Sequence, residues 1–204
     1  MASVFEDAPD AAGASDVSWD REGHPLRRYA ARMIDALLFG SPIAIILIVL
    51  LGLVVPAAGD WVIAGGEVQQ LLVAVPLRFI CAIPGIAAVL AWKGTTPGKW
   101  LFGIRVRVDG GDRSFGRMLK REALVATLGV GLGLPLFALV AMIKGYSDAE
   151  KGEPTIWDAR VGTAVEGQVI DRWALRVRLA VGTLIWAGVM IWGIAARLLS
   201  MGQT

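Results

Sequence analysis

Apolar and polar positions alternate along this chain in long blocks. From Met33 to Val55 the only charge is Asp35. At 1.5 Å rise per residue that block makes a helix about 34 Å long, enough to cross a hydrocarbon core of about 30 Å. A second block, Leu71 to Trp92, carries Arg78, Pro76 and Pro84, with Trp61 and Trp92 flanking it as interfacial anchors. A third, Ala123 to Ile143, is interrupted by Gly129-Val130-Gly131-Leu132-Gly133-Leu134-Pro135, and a fourth, Leu179 to Leu199, contains Trp186 and Trp192. Between the second and third, Ile104, Val106 and Val108 alternate with Arg105, Arg107 and Asp109 before Gly110-Gly111, the period of a short strand entering a turn. A helix is expected to follow Ser114, an N-cap residue type. The pattern predicts an all-α membrane protein with about four apolar helical segments and one short amphipathic strand.

Composition agrees, since 55% hydrophobic residues and a mean hydropathy of +0.60 exceed what an ordinary soluble domain carries. Residues 1–24 are polar and acidic, without an apolar run, and are expected to be a disordered tail. Net charge is only +2, and no nucleic-acid partner is expected. One cysteine, Cys81, and one histidine, His24, give neither an intrachain disulfide nor a Cys/His metal set. No cofactor is expected, and with no Ser-His-Asp or Cys-His set an enzyme is not expected either.

Charge distribution sets the topology. The segment from Lys93 to Glu122 holds Lys93, Lys99, Arg105, Arg107, Arg113, Arg117, Lys120 and Arg121, whereas residues 56–70 hold no Lys or Arg. The positive-inside rule makes the basic segment cytoplasmic, and with it the amino terminus of a multi-pass protein of the inner (plasma) membrane. Arg172, Arg176 and Arg178 before the fourth block favour a cytoplasmic start there as well. The third block would then be re-entrant; a single kinked span is the alternative.

Candidate chemistry begins where the first block does. Arg28 and Asp35 are seven residues apart, close to two helical turns, and Arg32 lies between them on the same face. A carboxylate entering the bilayer is either a functional group or, near headgroup level, half of an anchoring ion pair. Arg78 either snorkels outward or faces a polar cavity. The stretch Gly94-Thr95-Thr96-Pro97-Gly98-Lys99 lacks the Gly and the Ser/Thr that a phosphate loop places on either side, so no nucleotide site is expected.

These residues resemble the RDD family of small bacterial membrane proteins, named for one arginine and two aspartates. The resemblance covers Arg27 to Val165. Arg28 and Asp35 match the first pair, Thr96-Pro97-Gly98-Lys99 and the following residues to Val106 match the middle block with Ser114-Phe115-Gly116-Arg117 and Arg121, and Asp158 matches the second aspartate. Trp157 stands where many relatives have His or Gly, so no histidine proton relay is expected. The resemblance implies an RDD-like membrane domain over residues 25–166, followed by an extra transmembrane helix at 167–204. It also implies a site or a structural clamp built from Arg28, Asp35 and Asp158, which requires all three on one side of the bilayer.

Two functions are expected from this. The first is transport or exchange of a small ion or solute, some relatives being linked to cation–proton exchange, with Arg28, Arg32, Asp35, Arg78 and Asp158 as candidate ligand residues. So few helices make a homo-oligomer the expected form of a carrier. The second is a non-transporting module that binds anionic lipid or a partner protein through Lys99, Arg105, Arg107, Arg117 and Arg121.

Overall fold

The computed structural model describes residues 19–20, 25–58, 61, 66–150 and 154–201. Helix α1 (Pro25–Asp35) runs through one widened turn, Ala36–Gly40, into α2 (Ser41–Val54), making a continuous apolar helix over Pro25–Val54. The widened turn has a local cause. Pro42 has no N–H to give the carbonyl four residues back, and a π-type turn absorbs the mismatch without breaking the helix. The same device recurs before Pro76, where a widened turn at Gln70–Ala74 leads into α3 (Val75–Lys93). Pro25–Val54 and Leu71–Lys93 are both long and apolar enough to cross a membrane.

These two helices pack closely because glycine permits it. A Cβ on Gly40 would lie 2.0 Å from the Arg78 carbonyl oxygen, and one on Gly85 would lie 2.9 Å from the Phe39 ring. The inner face of α3 (Phe79, Ala82, Ile86, Ala87, Leu90) forms the main core with Ala36, Val106, Val108, Met118 and Val130. Its outward positions, like Ile45, Ile46, Leu47, Val49, Leu50, Leu53 and Val54 of α2, are apolar and exposed. A surface of that kind is stable against lipid and costly against water.

After Gly94, left-handed at φ 70°, a short helix α4 (Pro97–Leu101) leads into strand β2 (Ile104–Val108). The expected alternation is present, with Ile104, Val106 and Val108 buried and Arg105 and Arg107 outward. Its buried face packs on α3 and α1, and it pairs antiparallel with β3 (Thr163–Gln168), Val106 facing Val165. On the far side β3 pairs with β1 (Trp19–Asp20), giving the order β1-β3-β2. The fold is therefore mainly helical with a three-stranded sheet. Residues 1–18 and 21–24 of the expected disordered tail lie outside the described residues, but Trp19 and Asp20 are strand. The expected boundary after residue 166 also falls inside a strand, because Gly167 and Gln168 still pair.

Helix α5 (Phe115–Leu124) starts directly after Ser114 as expected, although the serine side chain caps nothing. The chain widens at Val125–Gly129, turns through Gly131–Gly133 and returns as α6 (Pro135–Glu150). This reversal fits under α3, since a Cβ on Gly133 (φ 77°) would lie 2.2 Å from the Phe79 ring. A short helix, α7 (Ile156–Val161), then packs on α5 and ends at left-handed Gly162 before β3. The chain closes with α8 (Arg172–Met201), whose Gly182 sits against Phe102 and Ile34.

Candidate functional site

Three carboxylates are buried together where α1, α4, α5 and α7 meet. Asp35, at the last position of α1, is fully buried. It accepts hydrogen bonds from the Thr96 hydroxyl (2.5 Å), the Gly98 amide (2.8 Å) and the Lys99 ammonium (3.4 Å). The Thr-x-Gly-Lys block is thus a receptor for this carboxylate, each of the three residues supplying one donor. Gly98 has to be glycine, because a Cβ there would lie 2.3 Å from the Ala31 carbonyl oxygen and 2.8 Å from the Asp35 carboxylate.

Glu122, near the end of α5, is also fully buried. Arg32 donates to one of its oxygens and Arg121 Nη1 to the other at 2.6 Å. Asp158, on α7, accepts from Arg121 Nη2 (2.7 Å) and Nε (2.9 Å) and from the hydroxyls of Thr155 (2.7 Å) and Thr163 (2.8 Å). Arg28 Nη1 lies 3.9 Å from Asp158, an ion pair without a hydrogen bond, and Arg28 Nη2 reaches the Val165 carbonyl at 3.5 Å. Burial alone would raise the Asp158 carboxyl. The Arg121 charge, the Thr155 hydroxyl, Arg28 and Thr163 outweigh it and hold the group below its ordinary value of 3.8.

Arg27, which precedes this network on α1, is buried for a different reason. Its guanidinium donates to the carbonyls of Phe102, Gly103 and Gln168, fastening α1 to the start of β2 and the end of β3. On the outer face of the sheet, Glu166 receives Arg105 at 2.7 Å and Arg107 at 3.4 Å.

Beside the carboxylates lies a cavity of about 360 Å³. Arg28, Arg32, Lys99 and Arg121 form its charged floor with Asp158, and Leu139, Met142, Ile143 and Tyr146 of α6 form an apolar wall, with Trp157 at one side. Among the described residues four cations face the three carboxylates Asp35, Glu122 and Asp158, an excess of one positive charge. The Arg28 Nε atom is buried and, among the described residues, has no hydrogen-bond partner.

Of the residues singled out in the sequence, Arg28, Arg32, Asp35 and Asp158 all belong to this network. Arg78 does not: its backbone packs on Gly40, about 7 Å of helix rise beyond Asp35, and its side chain is absent from the cavity. Lys99 and Arg121, assigned in the sequence to a lipid-facing surface, are buried in the network instead, because two buried acids lie within their reach. Arg105 and Arg107 do face outward, bridged to Glu166, and Arg117 donates to the Val161, Asp109, Asp112 and Gly162 carbonyls. Sequence reasoning missed Glu122, Thr155 and Thr163. An acid following Arg121 at the edge of an apolar block was the available signal for Glu122; the two threonines had none. Among the described residues no group of three His, Cys, Asp or Glu side chains is arranged to hold a metal.

Two membrane-length apolar helices, with the segments after the second folding back over one end to close a buried ionic network, define a helical membrane protein. The RDD family profile matches residues 23–162, more than half of the chain, and the protein belongs to the RDD family. The comparisons found no significant match among curated proteins or among solved structures.

Proposed function

We propose that this protein transports or exchanges a small ion or solute through the cavity beside the Arg/Asp network. The observation that carries this reading is the cavity itself. About 360 Å³ lies within the range of roughly 300–1,000 Å³ typical of small-molecule sites, and its floor is built from charged side chains held by a pre-organised network. The protein is multi-pass in the inner membrane with a cytoplasmic amino terminus. The third block is re-entrant and α8 is a further span. Supporting this topology, the amino end of α1, the basic strand β2, α7 and β3 gather at one end of the molecule, while the chain from Val125 to Glu150 leaves that end and returns to it. So few spans are too few for a monomeric carrier, which favours assembly as a homo-oligomer.

The alternative, a non-transporting module acting through the basic loop, is weakened by the burial of Lys99 and Arg121 and by the bridging of Arg105 and Arg107 to Glu166. Proteoliposome flux assays with monovalent cations, protons and small organic anions separate the two. Arg28→Gln is the informative variant, since Arg28 is the half-open member of the network. Wild-type flux that this substitution abolishes, with the unfolding temperature retained, is the expected result. Absence of protein-dependent flux for every class tested sinks transport and favours the module.

A further inference from the structure

We propose that the cavity binds a single-tailed anionic amphiphile, one carboxylate or phosphate headgroup on an acyl chain. This deepens the preceding reading by naming the ligand class, and it rests on the same cavity. The charge argument comes first. Each of the three carboxylates is already matched by internal cations: Asp35 by Lys99, Glu122 by Arg32 and Arg121, Asp158 by Arg121 and, without a hydrogen bond, by Arg28 at 3.9 Å. A cation entering the cavity would have to displace one of these partners. An anion meets the one positive charge in excess among the described residues instead, and Arg28, which pairs with Asp158 through Nη1, offers it a buried Nε–H that no described residue accepts. A buried donor without an acceptor is costly, and a headgroup oxygen removes that cost.

The wall argues for the tail. Leu139, Met142 and Ile143 line the same cavity as the cations, and Leu139 and Ile143 are more than half exposed, as are Leu136, Phe137 and Val140 of the same helix. A small hydrophilic anion would leave that wall wetted, whereas an acyl chain covers it. Because α6 presents apolar residues both to the cavity and outward, a ligand already dissolved in the bilayer reaches the cationic floor from the side.

The test measures binding to purified full-length protein in nanodiscs of neutral lipid, read by native mass spectrometry and by Trp157 fluorescence against a Trp157→Phe control. The probes are oleate, lysophosphatidylglycerol, uncharged monoolein and inorganic phosphate. The expected result is saturable, one-to-one binding of oleate and lysophosphatidylglycerol, at least about tenfold tighter than monoolein or phosphate, and weakened about tenfold or more by Arg28→Gln. Monoolein binding as tightly as oleate would show that charge is irrelevant. Phosphate binding as tightly as lysophosphatidylglycerol would show that the tail is. Either outcome overturns the proposal, as does unchanged oleate affinity in a folded Arg28→Gln protein. Should that variant fail to fold, a diazirine-bearing fatty acid crosslinked to the wild type decides. Labelling within residues 139–146 supports the site, and labelling confined to the outer face of α2 overturns it. Binding of oleate without protein-dependent oleate flux in the same proteoliposomes would leave this site standing and remove its transport.

Discussion

Glu122 shows how much a single buried acid can hold. It pairs with Arg32 and Arg121 at once while fully removed from solvent. Replacing it with Ala leaves two desolvated guanidinium groups short of an anion, and the expected loss is about 3–5 kcal/mol, seen as a lower unfolding temperature in detergent. Arg105→Ala removes a bridge from a side chain 45% exposed, and is expected to cost at most about 1 kcal/mol. Acid has a predictable effect too. The folded Asp158 carboxyl lies below its ordinary value of 3.8, so its stabilisation is fully present above that value and is lost as pH falls below about 4. Glu166 behaves alike from its ordinary 4.5: burial raises it, but the hydrogen bond and charge of Arg105, with Arg107, prevail. Stability should be flat with respect to these two groups above about pH 5, and Asp158→Asn should flatten the acid limb of a stability–pH curve.

At the scale of elements, α4 is the piece that turns an isolated aspartate into part of a network, and its approach to α1 depends on a missing side chain. Gly98→Ala places a methyl group 2.3 Å from the Ala31 carbonyl oxygen, so α4 must move and the three donors to Asp35 move with it. The expected cost is about 1–3 kcal/mol. Gly116→Ala on α5 is the control, since a Cβ there meets no described residue within 4 Å and should be neutral or slightly stabilising in the same thermal unfolding series. Much of this level was legible beforehand. Apolar blocks, the alternation of Ile104 to Val108 and the two-turn spacing of Arg28 and Asp35 are local patterns, fixed by helix and strand periods. The pairing of β2 with β3 was not, because Thr163–Gln168 contains glycine and polar residues and finds its partner about sixty residues away. For the same reason Lys99 and Arg121 looked like surface cations: nothing local to either reveals the acids that α1 and α7 bring to them.

For the whole molecule the decisive question is which end faces which compartment. Cys81 is the sole cysteine and is buried, so a Cys81→Ser background suits site-directed labelling. Single cysteines at the exposed positions Asp112 and Asp171 should react with an impermeant maleimide only from the cytoplasmic side, and one at exposed Ala57 only from the opposite side. Opposite reactivity at 112 and 171 would falsify the re-entrant third block. The closure of the network by distant parts of the chain also has a consequence in time. Arg27 meets the Gln168 carbonyl across 141 residues, and Arg28 meets Val165 across 137. At synthesis rates of about 5–20 residues per second, the arginines at the head of the first helix wait on the order of 10 s for those partners. A ribosome that stalls before Thr155 therefore leaves α1 and α5 with Arg28 and Arg121 still short of their aspartate, so a truncated chain carries guanidinium groups that the finished protein keeps paired.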